Sequence, residues 1–358
     1  MKIAIAGTRG IPNQYGGFEQ FAEKLSVLLV ANGHEVLVYN PNYHPYKEQY
    51  FEGVKIIRKT CHEKILKGAA HFYYDYICIK HAIKERCDAV IVCGYGTSAF
   101  ALKYLNRKET EIIVNMDGME WKRKKYHSIS KHILMKSEKI AVKIADVLIA
   151  DHPGIKEYLF SSYNKEAIYI PYGADIPVGF SSEILQKFKL EEDNYFLTVA
   201  RDDPDNQIDT IIRAWSNSNS DRKLVVISNK KINSKNTNAN ANLVFIEGLY
   251  DYQKLADLRQ YSSACIHGHS VGGTNPSLLE TMAAGALIIA HRNEFNKGVL
   301  GENAFYFSDI DDLSKVFKGI DIVNPDRDIW KQMNLEKIKK EYDWIKIAEK
   351  YLGVIEGG

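Results

Sequence analysis

Apolar positions in the first half of the chain form short runs separated by stretches of helical spacing. Lys2–Ala6 is one such run; it ends at Gly7 and has the pattern of a buried strand. Phe18, Phe21, Ala22, Leu25, Leu28 and Leu29 then recur at helical spacing until Asn32-Gly33 supplies a C-cap. Further strands are predicted at His34–Tyr39, Val54–Ile57, Asp88–Val92, Glu111–Val114 and Val147–Ala150. Helical patterns lie between most of them, notably Ala69–Lys84 and Ile133–Ile144. Strands that alternate with helices imply a parallel sheet covered on both faces.

Pro171-Tyr172-Gly173-Ala174-Asp175 reads as a hinge, and a second alternating series follows it. Tyr195–Ala200, Lys223–Ser228, Leu243–Ile246, Ala264–His267 and Leu287–Ala290 have strand patterns; Ile208–Trp215, Gln253–Tyr261 and Ser277–Ala284 have helical ones. Asn233–Asn242 is polar and Asn-rich, the composition of a surface loop. The C-terminal stretch carrying Trp330, Tyr342, Trp344 and Tyr351 reads as helices. The expected architecture is α/β, two doubly wound Rossmann-like domains facing a cleft, over residues 1–172 and 173–339. A helix at about 340–358 is expected to pack back on the first domain. In such sheets ligands sit outside the carboxyl ends of the strands, and clefts between domains are favoured binding positions.

Composition agrees with this reading. The 358 residues suit two domains of ordinary size, and 45% apolar with 26% charged residues is a soluble globular balance. The 47 Lys and Arg nearly match the 45 Asp and Glu, for a net charge of +2, so net charge alone does not imply nucleic-acid binding and the distribution must decide. The longest uncharged stretch, Ala89–Leu102, contains Gly94, Gly96, Thr97 and Ser98 and is shorter than the roughly 18 apolar residues of a membrane span. The N-terminus reads as strand and turn, with no secretory signal pattern. The cysteines Cys61, Cys78, Cys87, Cys93 and Cys265 form no C-x-x-C pair, which suits reduced thiols in a cytoplasmic protein.

Two glycine-rich strand-to-helix loops carry the candidate chemistry. The first runs from Gly7 through Arg9 and Gly10 to Gly16 and Gly17, where a helix begins. Glycines permit close approach of a ligand to the backbone, and a helix N-terminus favours an anion. The spacing is not G-x-G-x-x-G, and the second strand ends in Tyr39-Asn40 without an acid for a ribose diol. Both points weigh against a dinucleotide site. The second loop is Gly268-His269-Ser270-Val271-Gly272-Gly273-Thr274-Asn275-Pro276-Ser277, followed by Leu278, Leu279 and Glu280. Its glycines and hydroxyls suit an anion, and Glu280 can accept two ribose hydroxyls; the alternative is a Ser277/Glu280 capping box. Arg201 closes a strand and can fork onto phosphate oxygens, the alternative being an ion pair with Asp202 or Asp203. Glu247-Gly248-Leu249, at another strand end, can set backbone groups against a base. Asp203-Pro204-Asp205 reads better as a turn than as a metal pair, and His267 and His269 read as loop structure.

Together with Asn115-Met116-Asp117-Gly118-Met119-Glu120-Trp121, these segments resemble family 4 of the retaining nucleotide-sugar glycosyltransferases, closest to its bacterial rhamnosyltransferase-like group. The resemblance spans nearly the whole chain and implies a GT-B fold, with the acceptor on the N-terminal domain and the donor on the C-terminal one. It makes Arg201 the diphosphate-binding arginine and Glu280 the ribose-binding second Glu of a Glu-x7-Glu motif, and sets Gly16 and Gly17 facing the diphosphate and sugar. The first Glu of that motif is replaced by Gly272, and a Lys of the pattern by Asn206.

The implied reaction moves a sugar, such as L-rhamnose from dTDP-rhamnose, to a saccharide or lipid-linked saccharide acceptor in surface polysaccharide assembly. It needs no cofactor and no metal, so Arg201 and backbone N–H groups must meet the charge that grows on the leaving diphosphate. Asp117 and Glu120 are expected to orient or deprotonate the acceptor, the alternative being a helix-capping loop. The basic stretch over residues 121–143 is either a solvated helix face or a docking face for an anionic membrane surface. Rival readings are a GT-B nucleotide-sugar epimerase and a non-catalytic nucleotide-sugar-binding protein.

Overall fold

The computed structural model describes residues 1–107, 109–230, 242–320 and 326–357. Of the Asn-rich loop expected at Asn233–Asn242, all but Asn242 lies outside the described residues. The chain divides into two compact units. The first comprises Met1–Lys122, Tyr126–Tyr172 and Trp344–Gly358; the second comprises Arg123–Lys125 and Gly173–Asp343.

The first unit is built on eight strands: β1 (Lys2–Ala6), β2 (Glu35–Pro41), β3 (Tyr50–Phe51), β4 (Val54–Lys59), β5 (Ala89–Cys93), β6 (Glu111–Asn115), β7 (Val147–Ala150) and β8 (Ile168–Tyr169). Their order is β3-β4-β2-β1-β5-β6-β7-β8, and every pair is parallel except β3 with β4. Ile3–Ala6, Val90–Val92 and Ile112–Val114 are fully buried, as expected of central parallel strands covered by helices on both faces. The helix Trp344–Glu356 joins this unit. There Trp344 and Tyr351 meet Phe21 of the helix Gly17–Ala31, with ring centroids 6.4 and 5.4 Å apart.

The second unit has six parallel strands: β9 (Tyr195–Val199), β10 (Lys223–Ser228), β11 (Leu243–Glu247), β12 (Ala264–His267), β13 (Ile288–His291) and β14 (Phe305–Phe307). They run in the order β11-β10-β9-β12-β13-β14. Ile208, Ile211, Ile212 and Trp215 cover one face of this sheet with Phe317, and Leu185, Leu255 and Leu258 cover the other.

The strands predicted from apolar runs are present, with ends displaced by one or two residues. The missed strands β3, β8 and β14 are edge pieces of two or three residues, too short to show a period. The helix expected at Ile133–Ile144 begins earlier, at Ser128, because its first turn is solvated: Ile129 is 77% exposed there.

Candidate functional site

Each sheet has one point where strand order reverses, and each glycine-rich loop stands at one of them. In the second unit that point lies between β9 and β12. The loop leaving β12 crosses the loop leaving β9 so closely that a Cβ on Gly268 would lie 2.3 Å from the Asn206 carbonyl oxygen. Asn206 Nδ2 donates to the Arg201 carbonyl (2.9 Å), and its Oδ1 lies 3.0 Å from His269 Nδ1. The Ser270 N–H donates to the Asp205 carbonyl (2.9 Å). The position at which the resemblance has a lysine therefore ties the two loops together. Arg201 itself is exposed at this strand end.

Gly272 has φ +134°, a region that favours glycine. Among the described residues no hydrogen bond takes the Gly272 or Gly273 N–H, and Thr274 is buried beside them. The helix that follows, Pro276–Ala283, is closed by its own chain. Asn275 Oδ1 accepts the Ser277 N–H (2.9 Å), the Asn275 carbonyl accepts those of Leu278 and Leu279, and Pro276 has none. No Ser277/Glu280 capping box forms, because Asn275 takes the cap position, and the unengaged N–H groups lie in the loop rather than at the helix terminus. Ser277 Oγ instead lies 3.4 Å from both the Val199 carbonyl and Arg259 Nη2. The Glu280 carboxylate accepts Arg259 Nη2 at 2.7 Å.

Gly248 has φ +66° and its N–H donates to the Ser228 carbonyl (2.9 Å), so that group is engaged within the fold. Leu249 packs, half-buried, against the core cluster that contains Leu255 and Leu258.

Asp203 caps the short turn Pro204–Asn206. With Asp205 it holds a segment of its own unit: Arg123 Nη2 lies 3.2 Å from Asp203, Lys125 Nζ lies 3.6 Å from it, and the Lys124 N–H donates to both Asp205 oxygens. Burial pushes the Asp203 carboxyl up, but the Asp205 N–H, Arg123 and Lys125 outweigh it and hold the group below its ordinary value. Arg123 is thus already paired within the basic stretch. His267 is half-buried, with its Nε2 shut off from solvent, and desolvation together with the neighbouring His269 and Arg259 depresses it to about 3, so its ring is neutral at physiological pH.

In the first unit the order reverses between β1 and β5. A Cβ on Gly7 would lie 2.7 Å from the Cys93 carbonyl oxygen, and one on Gly10 2.4 Å from Asn40 Oδ1. Asn40 clamps the loop: its Oδ1 accepts the Ile11 N–H (3.0 Å) and its Nδ2 donates to the Ile11 carbonyl (2.7 Å). Asn13 Oδ1 then accepts the N–H groups of Tyr15 and Gly16. Gly16 caps the helix Gly17–Ala31 without a side chain, and among the described residues no hydrogen bond takes the Gly17 or Phe18 N–H. The Arg9 guanidinium stacks on Tyr15 at 3.9 Å, 3.3 Å from His71 Nε2 and 3.9 Å from Glu63, so it is held among these side chains.

Asp117 and Glu120 lie on the loop after β6. Asp117 has φ +50° and accepts the Tyr172 hydroxyl (3.2 Å); Glu120 accepts the Tyr126 hydroxyl (3.2 Å). His127, not either acid, occupies the cap position of the helix Ser128–Ile144. Sequence reasoning missed the group that shapes this loop. Buried Glu138 accepts Tyr95 Oη (3.0 Å), Trp121 Nε1 (3.1 Å), Tyr158 Oη and Tyr163 Oη (both 2.6 Å), while Tyr95 Oη also accepts the Glu120 N–H (3.1 Å). A single Glu in an amphipathic helix gives no such signal. Asp75 was missed for the same reason; it is buried, accepts Thr97 Oγ1, and burial raises it to about 7. No group of three His, Cys, Asp or Glu able to hold a metal ion occurs among the described residues.

The fold is GT-B. It matches sucrose-phosphate synthase from Thermosynechococcus elongatus (TM-score 0.82, 15% identity, 99% of this chain and 98% of that one). It also matches Anabaena Alr3699/HepE in complex with UDP-glucose (TM-score 0.76, 10% identity, 100% of both chains). A third match is the trehalose-phosphate synthase of Burkholderia xenovorans in complex with glucose-6-phosphate (TM-score 0.76, 11% identity, 99% of both chains). No curated protein sequence matches the chain. Residues 181–321 match the family described as Glycosyl transferases group 1, and residues 1–175 match a domain of unknown function, DUF1972. With that domain and this fold, the chain is a glycosyltransferase.

Proposed function

We propose that the protein is a retaining, metal-independent hexosyltransferase of family 4, in its rhamnosyltransferase-like group. It moves a sugar such as L-rhamnose from a nucleotide donor to a saccharide acceptor, carried on a lipid, in surface polysaccharide assembly. The second unit holds the donor. Arg201 and the Gly272 and Gly273 N–H groups meet the diphosphate, and Glu280 the ribose. The observation that carries this reading is the knitted floor of Asn206, Gly268 and His269, which fixes Arg201 and the glycine turn at one strand edge. The ligands of two structures of this fold, UDP-glucose and glucose-6-phosphate, are of the proposed donor and saccharide classes.

In the reaction the bond between the sugar's anomeric carbon and the diphosphate breaks. The acceptor hydroxyl forms the new bond on the same face, and its proton passes to the departing phosphate oxygen. Asp117 and Glu120 orient the acceptor. No nucleic acid takes part. The helix Ser128–Ile144 presents Ile133, Met135, Lys136, Lys139 and Lys143 to solvent, and we assign this face to an anionic membrane. No helix among the described residues is long and apolar enough to cross one.

A thermal-shift panel of nucleoside diphosphates and their sugar conjugates tests the reading, since a bound ligand raises stability by mass action. One base and one sugar should stand out. A panel in which no nucleotide shifts the second unit overturns it. Salt-sensitive sedimentation with anionic vesicles tests the membrane face.

A further inference from the structure

Arg259 lies in the helix Tyr252–Gln260 of the second unit and is 1% exposed, the largest side chain among the described residues to be so fully buried. Its Nη2 donates to Glu280 Oε2 at 2.7 Å and lies 3.4 Å from Ser277 Oγ. Its Nε and Nη1 are buried and find no hydrogen-bond partner among the described residues. A guanidinium used this way is a poor stabilising device, because desolvating the charge offsets most of what one ion pair returns. The same pair is a good orienting device. A charge-assisted hydrogen bond to a buried, immobile donor leaves a carboxylate little rotational freedom. Glu280 is the outer partner, its side chain 16% exposed against 1% for Arg259, so one end of the pair is anchored and the other reaches the surface. Asn275, not Ser277, caps the helix that carries Glu280.

We infer that Arg259 is a positioning residue for nucleotide recognition: it holds the Glu280 carboxylate where the sugar hydroxyls of the donor's nucleoside meet it. The inference rests on the reading of Glu280 as the ribose acceptor. A carboxylate that takes both ribose hydroxyls distinguishes a ribonucleotide from its 2′-deoxy form, so this reading gives the donor a ribonucleoside diphosphate in place of the deoxythymidine diphosphate of dTDP-rhamnose. That discrimination should depend on Arg259, although Arg259 touches no part of the nucleotide.

The test is calorimetric binding of UDP, GDP and ADP, each beside its 2′-deoxy counterpart, to the full chain. The wild type should prefer one ribonucleotide over its deoxy form, and Glu280→Gln should remove the preference. Arg259→Lys keeps the buried charge but not the guanidinium fork, and should reduce the preference about tenfold, the scale of one hydrogen bond to a charged group. Thermal unfolding monitors whether it folds. Should it fail to fold, Arg259→Gln with Glu280→Gln removes both charges and must match Glu280→Gln alone. A preference unchanged in Arg259→Lys, or a double variant that binds the ribonucleotide more weakly than Glu280→Gln alone, overturns the positioning role. A wild type with no preference, or Glu280→Gln that keeps it, overturns the ribose reading instead.

Discussion

The turn Gly7–Gly17 of the first unit and the turn Gly268–Asn275 of the second rest on the same close approach. In each, the glycine that follows the strand lies against a backbone carbonyl across the switch point: Gly7 on Cys93, Gly268 on Asn206. They diverge at the helix. The first turn ends in a cap without a side chain and leaves the Gly17 and Phe18 N–H groups at the helix terminus. The second ends in Asn275-Pro276, which closes the terminus, and leaves the Gly272 and Gly273 N–H groups in the loop. Glycine content alone therefore does not locate an anion site. What locates it is which N–H groups the chain's own caps have already taken.

The largest expected difference between the units is in their response to pH. Asp75 of the first unit is raised from 3.8 to about 7 by burial, so the folded state keeps a proton that the unfolded chain has lost. Its contribution is favourable below about 4, and falls by about 4 kcal/mol as pH rises to about 7. His267 of the second unit is depressed from 6.5 to about 3, so the unfolded chain takes the proton first. Stability from this group falls as pH drops through that window, by about 5 kcal/mol in full. In denaturant titrations Asp75→Asn should exceed the wild type in stability at pH 8 and lose that advantage at pH 4. His267→Gln should gain on the wild type only below pH 6. Parallel curves for either variant would show that the group does not titrate as described.

Next in size is Arg201→Ala. If Arg201 meets the leaving diphosphate as we propose, its removal should cost about 10²–10³ in turnover, or about 3–4 kcal/mol, the scale of one donor lost from a developing charge. Steady-state kinetics with the donor found by the panel should show that loss with unchanged unfolding; near-normal kcat would remove Arg201 from the mechanism. Smaller still is the shared close approach. Gly7→Ala and Gly268→Ala each force a Cβ onto a carbonyl, at an expected cost of about 1–3 kcal/mol in stability. Gly7→Ala should cost more because its φ is +83°. Equal or negligible losses would mean that the loops shift freely.

Most of the scaffold was legible because buried parallel strands are continuous apolar runs, and β1, β5 and β6 have no polar residue over Ile3–Ala6, Ala89–Cys93 and Ile112–Val114. The positions of Arg201 and both glycine loops followed from where those runs end. The partners of the loops did not follow, since they come from afar. Asn40 lies 29 residues from Ile11 and His269 lies 63 residues from Asn206, and neither pair has a local spacing to betray it. Ser277 and Glu280 show the limit most clearly. Their spacing matches a capping box, but Asn275-Pro276 just before them competes for the same helix end and takes it. Glu280 is then claimed by Arg259, 21 residues earlier, which nothing local predicts.

The smallest effect tests the comparison most directly, because it exchanges the caps. Asn275→Ala removes the side-chain acceptor of the Ser277 N–H and should cost the second unit about 1 kcal/mol. Gly16→Ser does the reverse in the first unit. Gly16 has φ −176°, extended backbone that serine adopts without strain, and a serine hydroxyl there can accept an N–H of the first helical turn. Replacing glycine by serine at a cap gains only a few tenths of a kcal/mol, so stability should rise slightly or not at all. Turnover should fall, because the added hydroxyl competes for N–H groups at the helix terminus that we assign to an anionic group. A drop in kcat with unchanged or raised unfolding temperature would show that the first turn works through its uncapped terminus. A Gly16→Ser variant as active as the wild type would leave that terminus a structural turn, and the loop N–H groups of Gly272 and Gly273 as the remaining groups we propose for the diphosphate.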